Sequence, residues 1–177
     1  AWHKTDKFWK ETEIDAVMKN VSQQKEGIVS SVEKKETSVS PPHPFDLTSL
    51  QIEAYKTLKI NPNITLQIAQ NLYTEGVISY PRTSSKILPK EIGYEKIIKD
   101  LSKQKEFEAF CKDLLKLKKE LNPNNGKESD PAHPAIYPTG EVPDNFKSEK
   151  DKNVYELIVR RFLATFAFPF VDGASAA

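Results

Sequence analysis

Tyr80 and Arg82 stand two residues apart in the run Gly76-Val77-Ile78-Ser79-Tyr80-Pro81-Arg82-Thr83-Ser84-Ser85, and together they could carry phosphoryl transfer. A phenol, with an ordinary pKa of about 10, is a better leaving group than a sugar hydroxyl yet still attacks phosphorus. A phosphotyrosyl bond would therefore keep the energy of the phosphodiester it replaces, and resealing would need no ATP. A guanidinium supplies the complementary service, a forked and charge-assisted grip on phosphate. Positioning and charge neutralisation are the principal services in such chemistry. Pro81 disfavours a helical backbone at Tyr80 and pushes it extended. Residues i and i+2 of an extended chain point the same way, so Tyr80 and Arg82 are expected to share a face. Local chemistry also allows a plainer account: a tyrosine before proline is far more often a packing residue, and a single arginine is most often a surface charge.

The elements that must position this pair are mostly helical. Thr12 to about Lys25 reads as a helix capped by Thr12 and ended by Gly27, with Glu13 and Asp15 at its positive end and Ile14, Val17, Met18 and Val21 as an apolar stripe. Ile28 to Val39 reads as an exposed strand. Pro41-Pro42-His43-Pro44 is a stiff connector and the best domain boundary. Thr48-Ser49-Leu50-Gln51 fits a capping box before a helix that carries Leu50, Ala54 and Leu58. After a turn at Asn61-Pro62-Asn63, a second helix from about Thr65 carries Leu66, Ala69, Leu72 and Tyr73 on one side, with Gly76 as its C-terminal cap. Two short helices about a tight turn suggest a helix-turn-helix-like arrangement, for which mere helical packing is the plainer reading.

Ile92 to Leu121 reads as one lysine-rich helix with Phe107, Phe110, Leu114 and Leu117 as its apolar side; its lysine run reads as a solvated face. Asn122 to Asp130 is a loop. A last helix, capped by Ser148, runs to about Ala167 and buries Val154, Leu157, Ile158, Phe162 and Phe166. Arg160 and Arg161 are adjacent on it, so at least one is available to solvent or phosphate.

Composition bounds the reading without choosing a function. The 177 residues are 38% hydrophobic, enough for one modest core. No apolar run approaches a bilayer span, and Ala1-Trp2-His3-Lys4 is not followed by the apolar stretch of a secretory signal. Cys111 is the single cysteine, which excludes an internal disulfide and makes a reducing interior, cytoplasm or nucleoid, the simplest setting. Three scattered histidines and no CxxC exclude a zinc site. The net charge of +1 does not announce a nucleic-acid partner, so any basic footprint must be local.

A second motif follows the first by about fifty residues: Asp130-Pro131-Ala132-His133-Pro134-Ala135-Ile136-Tyr137-Pro138-Thr139. The two motifs together resemble the active-site pattern of type IA DNA topoisomerases. The resemblance covers Pro41 to about Ala167. It takes in Pro41 to Gln51, the helix bearing Ala69-Gln70 and Leu72-Tyr73, the nucleophile segment, Ala132 to Thr139, and the Tyr155 to Ala164 helix, in the family's order. By this resemblance Tyr80 is the nucleophile, giving a 5′-phosphotyrosyl link and a free 3′ end, and Arg82 positions the phosphate. His133 falls on the histidine that approaches the DNA strand near the cut. Thr83 and Ser85 fall in the motif as residues that hydrogen-bond the backbone or phosphates.

Departures refine the resemblance. Many bacterial members have aspartate where this chain has Ser84; Tyr80-Pro81-Arg82-Thr83-Ser84 is more similar to archaeal enzymes and reverse gyrases. The family's acidic metal-binding domain, with a glutamate and a DxD motif, has no counterpart; Glu13-Ile14-Asp15 is explained as the first turn of a helix. The resemblance therefore implies a piece of a larger enzyme: residues 1–42 from a β-rich gate arch, 43–168 a nucleophile domain, and 169–177 a short return segment. The expected fold is mainly α with small β elements. Mg2+ is expected in the full enzyme through the absent domain, with no metal held by this chain. The implied partners are single-stranded or underwound DNA and the remaining domains of the same enzyme, with no membrane. A non-catalytic module that holds single-stranded DNA and keeps the motif as scaffold is the alternative. A tyrosine recombinase is a weaker competitor, because His133 follows the tyrosine where such enzymes place theirs before it.

Overall fold

A computed structural model describes residues 4–5, 7–27, 37–117, 120–130, 132–142 and 145–172. The chain is mainly helical, with minimal strand content. It divides into two compact units, Ala1–Val39 with Val171–Ala177, and Ser40–Phe170. The division falls between Val39 and Ser40, just before Pro41.

In the first unit, α1 (Glu11–Ser22) starts after Lys10, which offers no side-chain cap, and stops at Gln23. The expected Thr12 cap is thus two residues too late, and Gly27 lies beyond the helix end. No residue of α1 is buried; Ile14, Met18 and Val21 are exposed. Of the strand expected over 28–39, β1 (Thr37–Val39) is found, paired with β2 (Phe170–Asp172) in a two-stranded sheet. The rest of that expectation, 28–36, lies outside the described residues.

The second unit is built on α2 (Leu47–Leu58), α3 (Pro62–Thr74) and α6 (Glu149–Ala164), each packed on the other two. The cap of α2 is Asp46, not Thr48. Asp46 Oδ1 accepts from the Ser49 backbone N–H at 2.7 Å, and Ser49 Oγ accepts from the Asp46 N–H at 3.1 Å. Ser49 thus fills the place usually held by Glu or Gln, and the box sits two residues earlier than the sequence reading put it. In α3, Asn61 caps through the Ile64 N–H at 2.9 Å and Pro62 is the first helical residue, where its missing N–H costs nothing. The expected turn at 61–63 is therefore the start of the helix.

Leu50, Ile68, Ala69 and Leu72, and Val154, Ile158 and Phe162 meet in one core, and Ala54 is fully buried. Ser148 caps α6 through the Asp151 N–H at 3.2 Å. Arg161 on this helix is packed over the Phe45 ring at 4.2 Å, donates to the His43 carbonyl at 3.3 Å and pairs with Glu53 at 3.6 Å. Burial lowers its pKa, partly offset by Glu53, yet a guanidinium stays charged at neutral pH. Arg160 is the exposed one of the two, beside Glu156.

The single helix expected over 92–121 is broken into a 3-10 turn (Lys90–Ile92), α4 (Tyr94–Leu101) and α5 (Glu108–Leu117). Gly93 at φ +76° ends the first piece in a conformation β-carbons resist, and residues 102–107 turn the chain so that α5 folds back on α4. That reversal changes which residues are inside: Phe107, Cys111 and Leu114 are buried, while Phe110 and Leu117 are exposed. Lys99 and Lys112 pair with Glu95 and Glu108 one turn back, as expected of a solvated face.

Candidate active site

The chain leaves α3 through Gly76 at φ +76°, a left-handed turn that points the next residues back along the helix end. The Val77 N–H and the Gly76 N–H close on the Leu72 and Tyr73 carbonyls at 3.1 and 2.9 Å. Val77 and Ile78 then bury their side chains in the core, which fixes where Ser79 and Tyr80 emerge.

The second motif runs antiparallel beside this segment. Ile78 bridges Pro138, and Phe45 bridges Ile136. The Ser79 N–H donates to the Tyr137 carbonyl at 2.8 Å, and Ser79 Oγ accepts from the Tyr137 N–H at 3.0 Å while donating to the Ala135 carbonyl at 3.3 Å. Thr139 Oγ1 donates to the Gly76 carbonyl at 2.7 Å. Four contacts thus lock the two motifs in register, three of them through the residue immediately before Tyr80. Each is worth roughly 1 kcal/mol net, so their joint effect is positional more than energetic.

Tyr80 lies half-buried with its ring between two others. The His133 ring centroid is 4.5 Å away at a tilted angle, and Tyr73 meets it edge-on at 5.3 Å. His133 is seated from below by Asp130, whose Oδ1 accepts from the Ala132 and His133 N–H groups at 2.8 and 3.3 Å. Its carbonyl accepts from Thr83 Oγ1 at 3.2 Å, tying the histidine loop to the segment that carries the tyrosine.

Arg82 is exposed and lines a groove of about 440 Å³ with Asn63, Leu66, Gln67, Gln70 and Asn71 of α3. Tyr80 and Arg82 therefore both lie against residues of α3, Tyr80 at Tyr73 and Arg82 at the groove.

Thr83 and Ser85 are buried, at 5% and 2% exposure. Thr83 Oγ1 accepts from the Ser85 N–H at 3.0 Å, and Ser85 Oγ accepts from the Ile87 N–H at 3.1 Å. Of the two partners foreseen for these hydroxyls, backbone or phosphate, the structure supplies backbone. Lys86 follows, paired with Glu128 at 3.4 Å and Asp46 at 3.8 Å, so the run after Arg82 is pinned at Thr83, Ser85 and Lys86.

Sequence reasoning brought Tyr80, Arg82 and His133 forward, and it missed Tyr73 and Ser79. Tyr73 reads as one more apolar position of α3, but it is 41% exposed and spends its ring on Tyr80. Its place in the last turn of α3, just before the segment that carries the nucleophile, was the available signal. Ser79 had none beyond its position beside Tyr80. For the magnesium implied by the resemblance, the described residues offer no cluster of three His, Cys, Asp or Glu side chains.

The family profile described as DNA topoisomerase matches residues 1–174. The chain belongs to the DNA topoisomerase family. DNA topoisomerase 1 of Pyrococcus horikoshii is 46% identical over 172 residues, which is 96% of this chain and 24% of that protein. DNA topoisomerase 1 of Methanothermobacter thermautotrophicus is 45% identical over 163 residues, 92% of this chain and 22% of that protein. Human DNA topoisomerase 3-alpha is 36% identical over 136 residues, 77% of this chain and 13% of that protein. The solved structure of full-length topoisomerase I from Thermotoga maritima superimposes with a TM-score of 0.59 at 28% identity, over 94% of this chain and 27% of that one. The chain thus spans about a quarter of the length of the topoisomerases 1 it matches.

Proposed function

We propose that this chain is the nucleophile-bearing part of a type IA topoisomerase that cuts and rejoins one DNA strand. The observation that carries the reading is the clamp on Tyr80. Its ring is held between His133 at 4.5 Å and Tyr73 at 5.3 Å, and Arg82, two residues on, keeps its guanidinium on the surface.

In cleavage, the Tyr80 phenol oxygen bonds to phosphorus and the bond from phosphorus to the 3′ oxygen breaks. The phenol gives up its proton and the departing 3′ oxygen takes one up, so atoms and charge balance. Arg82 holds the non-bridging oxygens while negative charge builds on them. His133 and Tyr73 fix the phenol, and the Ser79 and Thr83 bonds fix the two loops that carry Tyr80 and His133. Resealing is the same path in reverse. Single-stranded or underwound DNA is the substrate, and the remaining domains of the enzyme supply the magnesium and complete the pocket. By itself the chain binds single-stranded DNA weakly and passes no strand.

An end-labelled single-stranded oligonucleotide, incubated with the chain, the remaining domains of a relative and Mg2+, tests this on a denaturing gel. A covalent adduct that disappears in Tyr80→Phe, with DNA affinity retained, is the expected result. DNA binding with no adduct despite competent partner domains would leave a module that only holds the strand.

A further inference from the structure

We infer that the groove between Arg82 and the outer face of α3 is a nucleotide subsite that grips a base as well as a phosphate, an inference that rests on the function proposed above. Asn63, Gln67, Gln70 and Asn71 recur at the three- and four-residue spacing that puts them on one side of α3, with half-buried Leu66 beside them. The opposite side of the same helix is the buried stripe of Ile68, Ala69 and Leu72. Four carboxamides on one face with no charge among them is an unusual solvent surface, since charged residues are the ordinary occupants of an exposed helical face.

Arg82 reaches this face from the segment beyond the helix and closes the groove. The other two arginines of the chain are engaged, Arg160 with Glu156 and Arg161 with Glu53. Arg82 has no such carboxylate, and no acidic residue lines the groove. Among the described residues, neither Arg82 nor any of the four carboxamide side chains has a hydrogen-bond or ion-pair partner.

These groups specify a ligand. One guanidinium without a counter-charge calls for one anion, and phosphate matches its fork. A carboxamide presents a donor and an acceptor side by side, which is the pattern of a base edge. Asn and Gln pair with such edges in two-point contacts, and a single strand leaves them free to be read. Leu66 offers the apolar patch on which a base plane can rest. A nucleotide on the strand adjoining Tyr80 has this combination. An acidic peptide does not, because it would leave the amides unused, and neither does a lipid headgroup.

The test compares two short single-stranded DNA oligonucleotides of equal length and charge, one with all its bases and one carrying abasic sites, titrated against the chain by fluorescence anisotropy. Wild type should bind the base-bearing strand about tenfold more tightly, the scale of one good two-point contact. The Gln67→Ala, Gln70→Ala double variant should erase that difference, while Arg82→Ala should weaken both strands alike. Both glutamines lie on the outer face of α3, and alanine is the best helix former, so the double variant keeps its fold; circular dichroism checks this. Equal affinity of wild type for the two strands, or a double variant that keeps the preference, overturns the subsite. Absence of binding to either strand overturns the underlying DNA reading as well.

Discussion

The packed centre of α2, α3 and α6 and the irregular segments around Tyr80 are buried to a similar degree, yet different forces hold them. Leu72, Ile158 and Phe162 are each about 1% exposed or less and meet through apolar contact alone. Thr83, Ser85 and Ile136 are nearly as inaccessible, in chain that is neither helix nor extended sheet. There the backbone groups find partners one at a time, through the Ser79, Thr83, Ser85 and Thr139 hydroxyls and two isolated bridges. Apolar packing is non-directional and gives stability. Hydroxyl-to-backbone bonds are directional and give position, which a nucleophile needs to within a fraction of an ångström. The difference teaches that the second unit separates its two tasks: α3 and α6 keep the fold, and short polar ties aim Tyr80 and His133.

Breaking each region should therefore break something different. Phe162→Ala should cost about 3–5 kcal/mol, read from urea denaturation, by opening a cavity beside Phe166, whose ring lies 5.2 Å away. At fixed folded concentration it should leave adduct formation intact. Alkaline pH attacks the helical interior from another side. Burial pushes the Cys111 thiol up from near 9 to about 11, so the folded chain keeps a proton there that the unfolded chain loses. The sign follows: stability is full below about pH 9 and falls as pH rises toward 11, by roughly 2–3 kcal/mol for this group. The buried Tyr94 and Tyr155 phenols, also raised by desolvation, act in the same direction. Denaturation midpoints of wild type and Cys111→Val should separate as pH rises from 8 to 11, because the variant lacks the thiol's share of the fall.

Thr83→Val reports on the polar ties. It leaves the Ser85 N–H and the His133 carbonyl without a partner in a buried place, at a cost of about 1–3 kcal/mol. Its adduct yield should fall further than stability alone explains, because the two loops lose their link. Tyr73→Ala should have the smallest effect, about 0.5–1.5 kcal/mol of aromatic contact, seen as a severalfold slower adduct at unchanged stability. Tyr73→Phe keeps the ring edge and should restore the rate. If Thr83→Val lowered stability but left the adduct rate alone, the separation of tasks drawn here would be wrong.

The same contrast decides what could be read from the sequence. Helices with periodic apolar residues were legible: α6 with its Ser148 cap, and the paired α2 and α3 with Gly76 after them. Their boundaries were less so, because Asp46 and Asn61 compete with better-looking signals such as Thr48 and the Asn61-Pro62 turn pattern. The break between α4 and α5 was hidden because 102–106 holds no Gly or Pro to mark it; the lapse of the apolar period between Leu101 and Phe107 was its only trace. In the site, residue chemistry brought Tyr80 and Arg82 forward and motif resemblance added His133. The inward turn of Thr83 and Ser85, the register set by Ser79, and the contact of Tyr73 were not legible. Isolated bridges and single side-chain bonds leave no periodic trace.

The most direct measurement is the address of the covalent bond. The chain, assembled with the remaining domains of a relative, is trapped on a single-stranded oligonucleotide, digested with a protease and sequenced by mass spectrometry. The account predicts one modified peptide containing Tyr80, bearing the 5′ phosphate of the downstream product, with a free 3′ hydroxyl on the other. Nucleotide on Tyr73 or any other residue, or linkage through a 3′ phosphate, would contradict it.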